Sequence, residues 1–173
     1  MRRRQIIATI ITAICLTSVA AMGFEPMTAA IRVSNGSMYD YVIIGEHPKA
    51  TDGYDNAYDT ISPGNLNADM GQPFISVIIS QPDWKPVMRE LRGDIRSLAQ
   101  RQEWQLAITS SLPKGAPLNV ELQSDRTTLP KGVKLTLKYE TMKKETNLKA
   151  GNYTVPAPGP GTPTRLLVIA EQP

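Results

Sequence analysis

The 173-residue sequence predicts an all-β fold, an antiparallel β-sandwich of seven to eight strands, on three observations. Apolar and polar side chains alternate along several short segments, proline and glycine punctuate the chain closely, and β-branched residues dominate the more continuous apolar runs.

The alternation is clearest in Glu103–Thr109, where Trp104, Leu106 and Ile108 share one face and Glu103, Gln105 and Thr109 the other. That is the period of two expected of a half-buried strand. Leu118, Val120 and Leu122 repeat the pattern, as do Val133, Leu135, Leu137 and Tyr139. Two runs, Asp40–Ile44 and Phe74–Ser80, are apolar nearly throughout and suit central strands. Ala30–Val33 is read as the first strand, Tyr153–Val155 as a short one and Arg165–Ala170 as the last, with no anchor expected after it.

One segment carries a different period. Val87, Leu91, Ile95 and Leu98 recur at spacings of four, four and three, which predicts a short helix near 87–101 on an edge of the sandwich. Gly93 in its middle costs a helix roughly 1 kcal/mol relative to alanine. The stretch Val155–Pro163 cannot form a regular hydrogen-bonded element, because its prolines lack the amide donor; it is read as a stiff surface loop.

The N-terminus reads as a targeting segment. Arg2–Arg4 precede the apolar run Ile6–Leu16, and Val19 and Ala21 place small residues three and one positions before a cut ahead of Met22. This is the pattern of a secretory signal peptide over residues 1–21, followed by one domain over 22–173. The apolar run is shorter than the roughly 20 residues that span a bilayer, so no membrane span is expected after cleavage. Cys15 lies inside that run behind bulky Ile14, which does not suit a lipid-modified cysteine.

Removing the signal changes the chemistry available. The formal charge of +3 comes from the three leader arginines; without them sixteen basic residues face sixteen acidic ones, which gives no basis for a nucleic-acid partner. Cys15 is the only cysteine, so the mature domain has no disulfide, thiolate nucleophile or cysteine metal site. His47 is the only histidine, and no Gly-x-Ser-x-Gly elbow accompanies it, so no catalytic residues are assigned.

The most distinctive segment is Ala50–Asp59. Asp52, Asp55, Asn56 and Asp59 supply oxygens of the kind calcium takes six to eight of, so calcium is the one candidate cofactor. The alternative is a loop whose aspartates bond their own backbone. Tyr54 and Tyr58 in the same segment, and Trp84 in a proline-bracketed turn, are candidate ligand-binding residues, because an aromatic face makes an apolar platform with a polar tip on which a sugar ring stacks. Trp104, on the apolar face of its strand, is read as core.

Asp52–Asp55, Asp94–Arg96 followed by Trp104–Leu106, Leu129–Pro130 before Val133–Tyr139, and Asn152–Val155 with Arg165–Ile169 together resemble the Ig-like or fibronectin-type β-sandwich modules of secreted bacterial proteins, over residues 45–170. The resemblance implies a mostly extended Asp94–Thr109, a buried tryptophan and a closing C-terminal strand. The first functional expectation is therefore a secreted, periplasmic or extracellular non-catalytic module that binds or assembles with a protein or cell-surface polysaccharide partner, through loops or an edge strand. The second is a calcium-assisted carbohydrate-binding module, and the third an exported hydrolase.

Overall fold

The structure, a computed structural model, describes residues 23–173. The predicted signal peptide over 1–21 lies outside the described residues. What is described is all-β, a single mixed sheet of eleven strands that curls nearly into a barrel.

Each segment read as extended forms a strand. Met27–Asn35 (β1) and Met38–Glu46 (β2) make a hairpin, turning at Gly36 with φ +58°, where a side chain would be strained. Ile75–Ser80 (β4), Arg101–Ser110 (β6), Pro117–Leu122 (β7), Lys134–Tyr139 (β8), Tyr153–Pro156 (β10) and Thr164–Glu171 (β11) complete the expected set. Thr60–Ile61 (β3), Glu90–Arg96 (β5) and Lys144–Asn147 (β9) are additional.

Three expectations are corrected. The strand count is eleven rather than seven or eight. The sheet is mixed, because β2 and β5 run parallel while every other pair is antiparallel. The helix near 87–101 is a strand, β5, preceded by a single 3-10 turn over Pro86–Met88. The reason is arithmetical. A spacing of four is even, so Leu91 and Ile95 share a face in an extended chain as readily as in a helix, and Gly93 between them weighs against the helix. Val87, the supposed start of the helical stripe, is exposed. Among the described residues one four-residue α-helix (α1) forms, Leu66–Asp69, capped by the Asn65 side chain.

The sheet order is β10-β7-β1-β2-β5-β4-β6-β11-β8-β9, with β3 paired to β5. Gly93 pairs with Ile43 and Thr60, and Leu91 with Ile79 and Ile61, so β3 takes one edge of β5 while β2 and β4 share the other in succession. β2 and β4 therefore fork apart around β5. An ion pair closes the fork: Arg92 binds Asp40 and also donates to the Tyr41 carbonyl at 2.9 Å, while the Asp40 carboxylate accepts the Val77 N–H at 2.9 Å. Two side chains thus satisfy backbone groups that a continuous ladder would have paired.

The core lies inside this curl. Val42, Ile44, Val77, Ile79, Leu91, Trp104, Leu106, Ile108, Leu135, Leu137 and Val168 are all buried in one cluster fed by both halves of the sheet. The alternation along β6 is what aims Trp104, Leu106 and Ile108 at it. β1, β2, β5, β6 and β11 then deliver their ends to the two rims of the curl, and each rim carries a different chemistry.

Candidate functional site

At one rim the end of β2, the 47–59 loop, the end of β5 and the start of β6 converge, and the candidate residues of the sequence lie there. Acids normally occupy solvent, yet Glu46 and Asp94 are 1% exposed and Asp59 8%. Burying them requires partners, and the partners build the rim.

Asp59 makes the tightest connection. One carboxylate oxygen accepts the Asp55 N–H at 2.7 Å and the other the Ile95 N–H at 3.0 Å, so it closes its own loop and fastens that loop to β5. Asp55 caps a local turn, accepting from the Ala57 N–H at 3.0 Å, while its carbonyl takes the N–H groups of Tyr58 and Asp59. Asp52 reaches the β5–β6 connection, accepting from the Ser97 hydroxyl at 2.6 Å, the Ser97 N–H at 3.3 Å and the Gln102 amide at 3.2 Å. Asn56 accepts from the Tyr54 hydroxyl at 3.0 Å. The Ser97 hydroxyl holds the Asp52 carboxyl below its usual range, whereas burial raises that of Asp59.

The metal-candidate residues are therefore brought into one loop, and the three carboxylates among them accept hydrogen bonds from N–H or O–H donors. Among the described residues no three His, Cys, Asp or Glu side chains are gathered as ligands of an ion.

Two further acids stiffen the same rim from within. Asp94 binds Arg96, which donates through Nε and at 3.0 Å through its second terminal nitrogen, and accepts from Gln81 at 2.8 Å. The Arg96 guanidinium lies 5.3 Å over the Trp104 ring, so the charge is stacked on the core tryptophan as well as paired. Glu46 accepts from the Ala99 N–H and the Gln172 amide, both at 3.0 Å, and Gln172 in turn bonds both backbone groups of Glu25. The other Glu46 oxygen is sealed without a partner among the described residues, and burial raises its pKa.

The aromatic candidates sit on this braced frame. Trp84, in the β4–β5 loop, meets Tyr54 edge-on with ring centroids 6.4 Å apart, and both rings are half-buried against the core. The Trp84 carbonyl accepts from Arg89 at 2.8 Å, which fixes its turn. Tyr58 stacks on His47 at 4.7 Å, and the His47 Nδ1 accepts the Lys49 N–H. Two loops some thirty positions apart in sequence thus meet through Tyr54 and Trp84, and Tyr58 pairs separately with His47. The residues that sequence reasoning missed are the braces Ser97, Gln102, Gln172 and Glu46, whose partners lie too far along the chain for any local spacing to reveal.

Comparison of the chain with protein-family models, curated proteins and solved structures found no match.

Proposed function

We propose that the chain is a non-catalytic binding or assembly module acting outside the cytoplasm, and that Tyr54, Trp84 and Tyr58 form its recognition surface for a protein or cell-surface polysaccharide. The observation that carries this reading is the Tyr54–Trp84 pair, half-buried on two loops, one held by the Asp52, Asp55 and Asp59 carboxylates and the other by the Arg89 side chain on the Trp84 carbonyl. A surface already ordered before binding loses little conformational entropy on contact, and aromatic rings give large area for few rotatable bonds. The leader-like N-terminus, three arginines followed by an apolar run and small residues, favours the exported setting.

Loops are favoured over an edge strand as the contact. The ends of the main strand order are β9 and β10, each of four residues; β9 begins with a lysine and β10 ends with Pro156, devices that discourage strand addition, and β3 is only two residues long. The buried Trp104 and the terminal strand β11 support the Ig-like resemblance, from which the parallel β2–β5 pair departs. A calcium-assisted mode uses the same aromatic surface, but the ion would compete with the N–H and O–H donors that the aspartates already bond.

The test is co-sedimentation of the purified domain with insoluble polysaccharides and with cell-envelope fractions, for wild type, Trp84→Ala and Tyr54→Ala. Retention that falls at least about tenfold in both variants, with melting cooperative and near wild type, is the expected result. Equal retention of both variants contradicts the assignment.

A further inference from the structure

The opposite rim holds a second site that owes nothing to the aromatic loops. There the proline-rich segment 156–163 leaves β10, passes the 113–116 turn and enters β11, walling a cavity of about 420 Å³ with Tyr139 at the end of β8. Its lining includes Pro156, Pro158, Pro163 and Tyr139, and among the described residues two cations, Lys114 and Arg165, are the charged groups that line it.

The wall is rigid for reasons visible in the sequence. Prolines fix φ, and Gly159 and Gly161 take φ of +85° and +78°, where a side chain would be strained. Ala157 is buried, donating to the Ala116 carbonyl at 2.7 Å and accepting from the Gly115 N–H at 2.9 Å, which ties the segment to the turn bearing Lys114. A Cβ on Gly159 would lie 3.1 Å from the Lys114 Cβ, so the two loops are in close contact. Among the described residues neither Lys114 nor Arg165 forms an ion pair, and the Tyr139 hydroxyl has no hydrogen-bond partner. Tyr139 is 8% exposed and lines the cavity.

We propose that this cavity binds a carboxylate attached to an apolar body. Proline and tyrosine faces pack the body, while Lys114, Arg165 and the Tyr139 hydroxyl donate to the carboxylate; a concave, largely apolar, pre-formed pocket with a few convergent donors is the general design of small-ligand sites. The same chemistry is offered by a free organic acid and by the C-terminus of a peptide ending in an apolar residue.

The experiment follows backbone amide resonances of the protein during titration with phenylpropanoate, phenylpropanamide, and an acetylated tetrapeptide ending in phenylalanine with either a free or an amidated C-terminus. Saturable shifts confined to the neighbourhood of Gly115, Tyr139, Ala157 and Thr164 are expected for the two carboxylates. The amides should bind about tenfold or more weakly, as should the carboxylates to a Lys114→Gln, Arg165→Gln double variant whose melting is unchanged. The tighter of the two carboxylates identifies the source. Equal binding of acids and amides, shifts elsewhere on the fold, or no saturable shift with any probe overturns the proposal.

Discussion

Asp59 illustrates how much one side chain decides here. Its two oxygens hold the Asp55 and Ile95 N–H groups, and it is 8% exposed. Truncation leaves two buried donors unpaired, each a loss of about 1–3 kcal/mol, offset in part because the carboxylate no longer suffers desolvation. Asp59→Ala should therefore destabilise the domain by about 2 kcal/mol in urea unfolding. A change inside a few tenths of a kcal/mol would mean the loop stands without its brace. At this scale the sequence was half informative. Asp52, Asp55, Asn56 and Asp59 announce themselves by crowding, and the Asx-type turn at Asp55 is local enough to anticipate. Their distant partners do not, because Ser97, Gln102 and Ile95 lie 36 to 50 positions away and meet them only after the sheet has formed.

Among the elements, β5 joins the two halves of the sheet. Its N-terminal residues pair with β4 and its C-terminal residues with β2, and the Asp40–Arg92 ion pair closes the fork between those two strands. Breaking a largely buried pair leaves one charge and one N–H without partners, so Asp40→Ala should cost about 3 kcal/mol. Arg92→Met alone should cost a comparable amount, and the double variant Asp40→Ala, Arg92→Met clearly less than the sum, since no orphaned charge remains. Additive costs in the urea cycle would show that the pair does not act as a unit. The fork also marks where sequence reading stopped. β1, β2, β4, β6, β7, β8, β10 and β11 each carry their own alternation or a β-branched run. β5 contains Arg92, Gly93, Asp94 and Arg96, residues chosen for a corner between two strands, and their pattern is legible only once that corner exists. β3 and β9 are too short and polar to show a period.

For the whole molecule, the buried acids set the response to pH. Glu46 sits between Ala99 and Gln172, and Gln172 holds Glu25, so this carboxyl ties the end of β2 to the residue after β11 and, through it, to the segment before β1. Burial raises the pKa of Glu46 and Asp59 above their ordinary values of 4.5 and 3.8. An acid with a raised folded pKa is more easily protonated folded than unfolded, so its unfavourable contribution is full at neutral pH and fades as pH falls through the folded pKa toward the unfolded one. Asp52 has the opposite sign: its lowered pKa supplies stability above 3.8 that disappears in stronger acid. Glu46→Gln, which is uncharged at every pH, should therefore compare best with wild type at neutral pH. Its stability relative to wild type should decline on acidification toward 4.5. A difference independent of pH, read by urea unfolding across that window, would show that Glu46 is not a buried ion. The overall architecture, one sheet curled almost onto itself, depends on the parallel β2–β5 pairing, and no local pattern distinguishes that arrangement from two antiparallel layers.

The contact of Tyr54 with Trp84 depends most on the Asp52, Asp55 and Asp59 carboxylates being engaged in holding the loop that carries Tyr54. Amide spectra of the domain recorded through a calcium titration at neutral pH test this directly. The resonances of Asp55, Ala57, Ile95 and Ser97, whose N–H groups those carboxylates accept, should stay in place at every calcium concentration. A saturable displacement of those four together would show the carboxylates leaving the backbone for the ion, and the braced-loop account would fail.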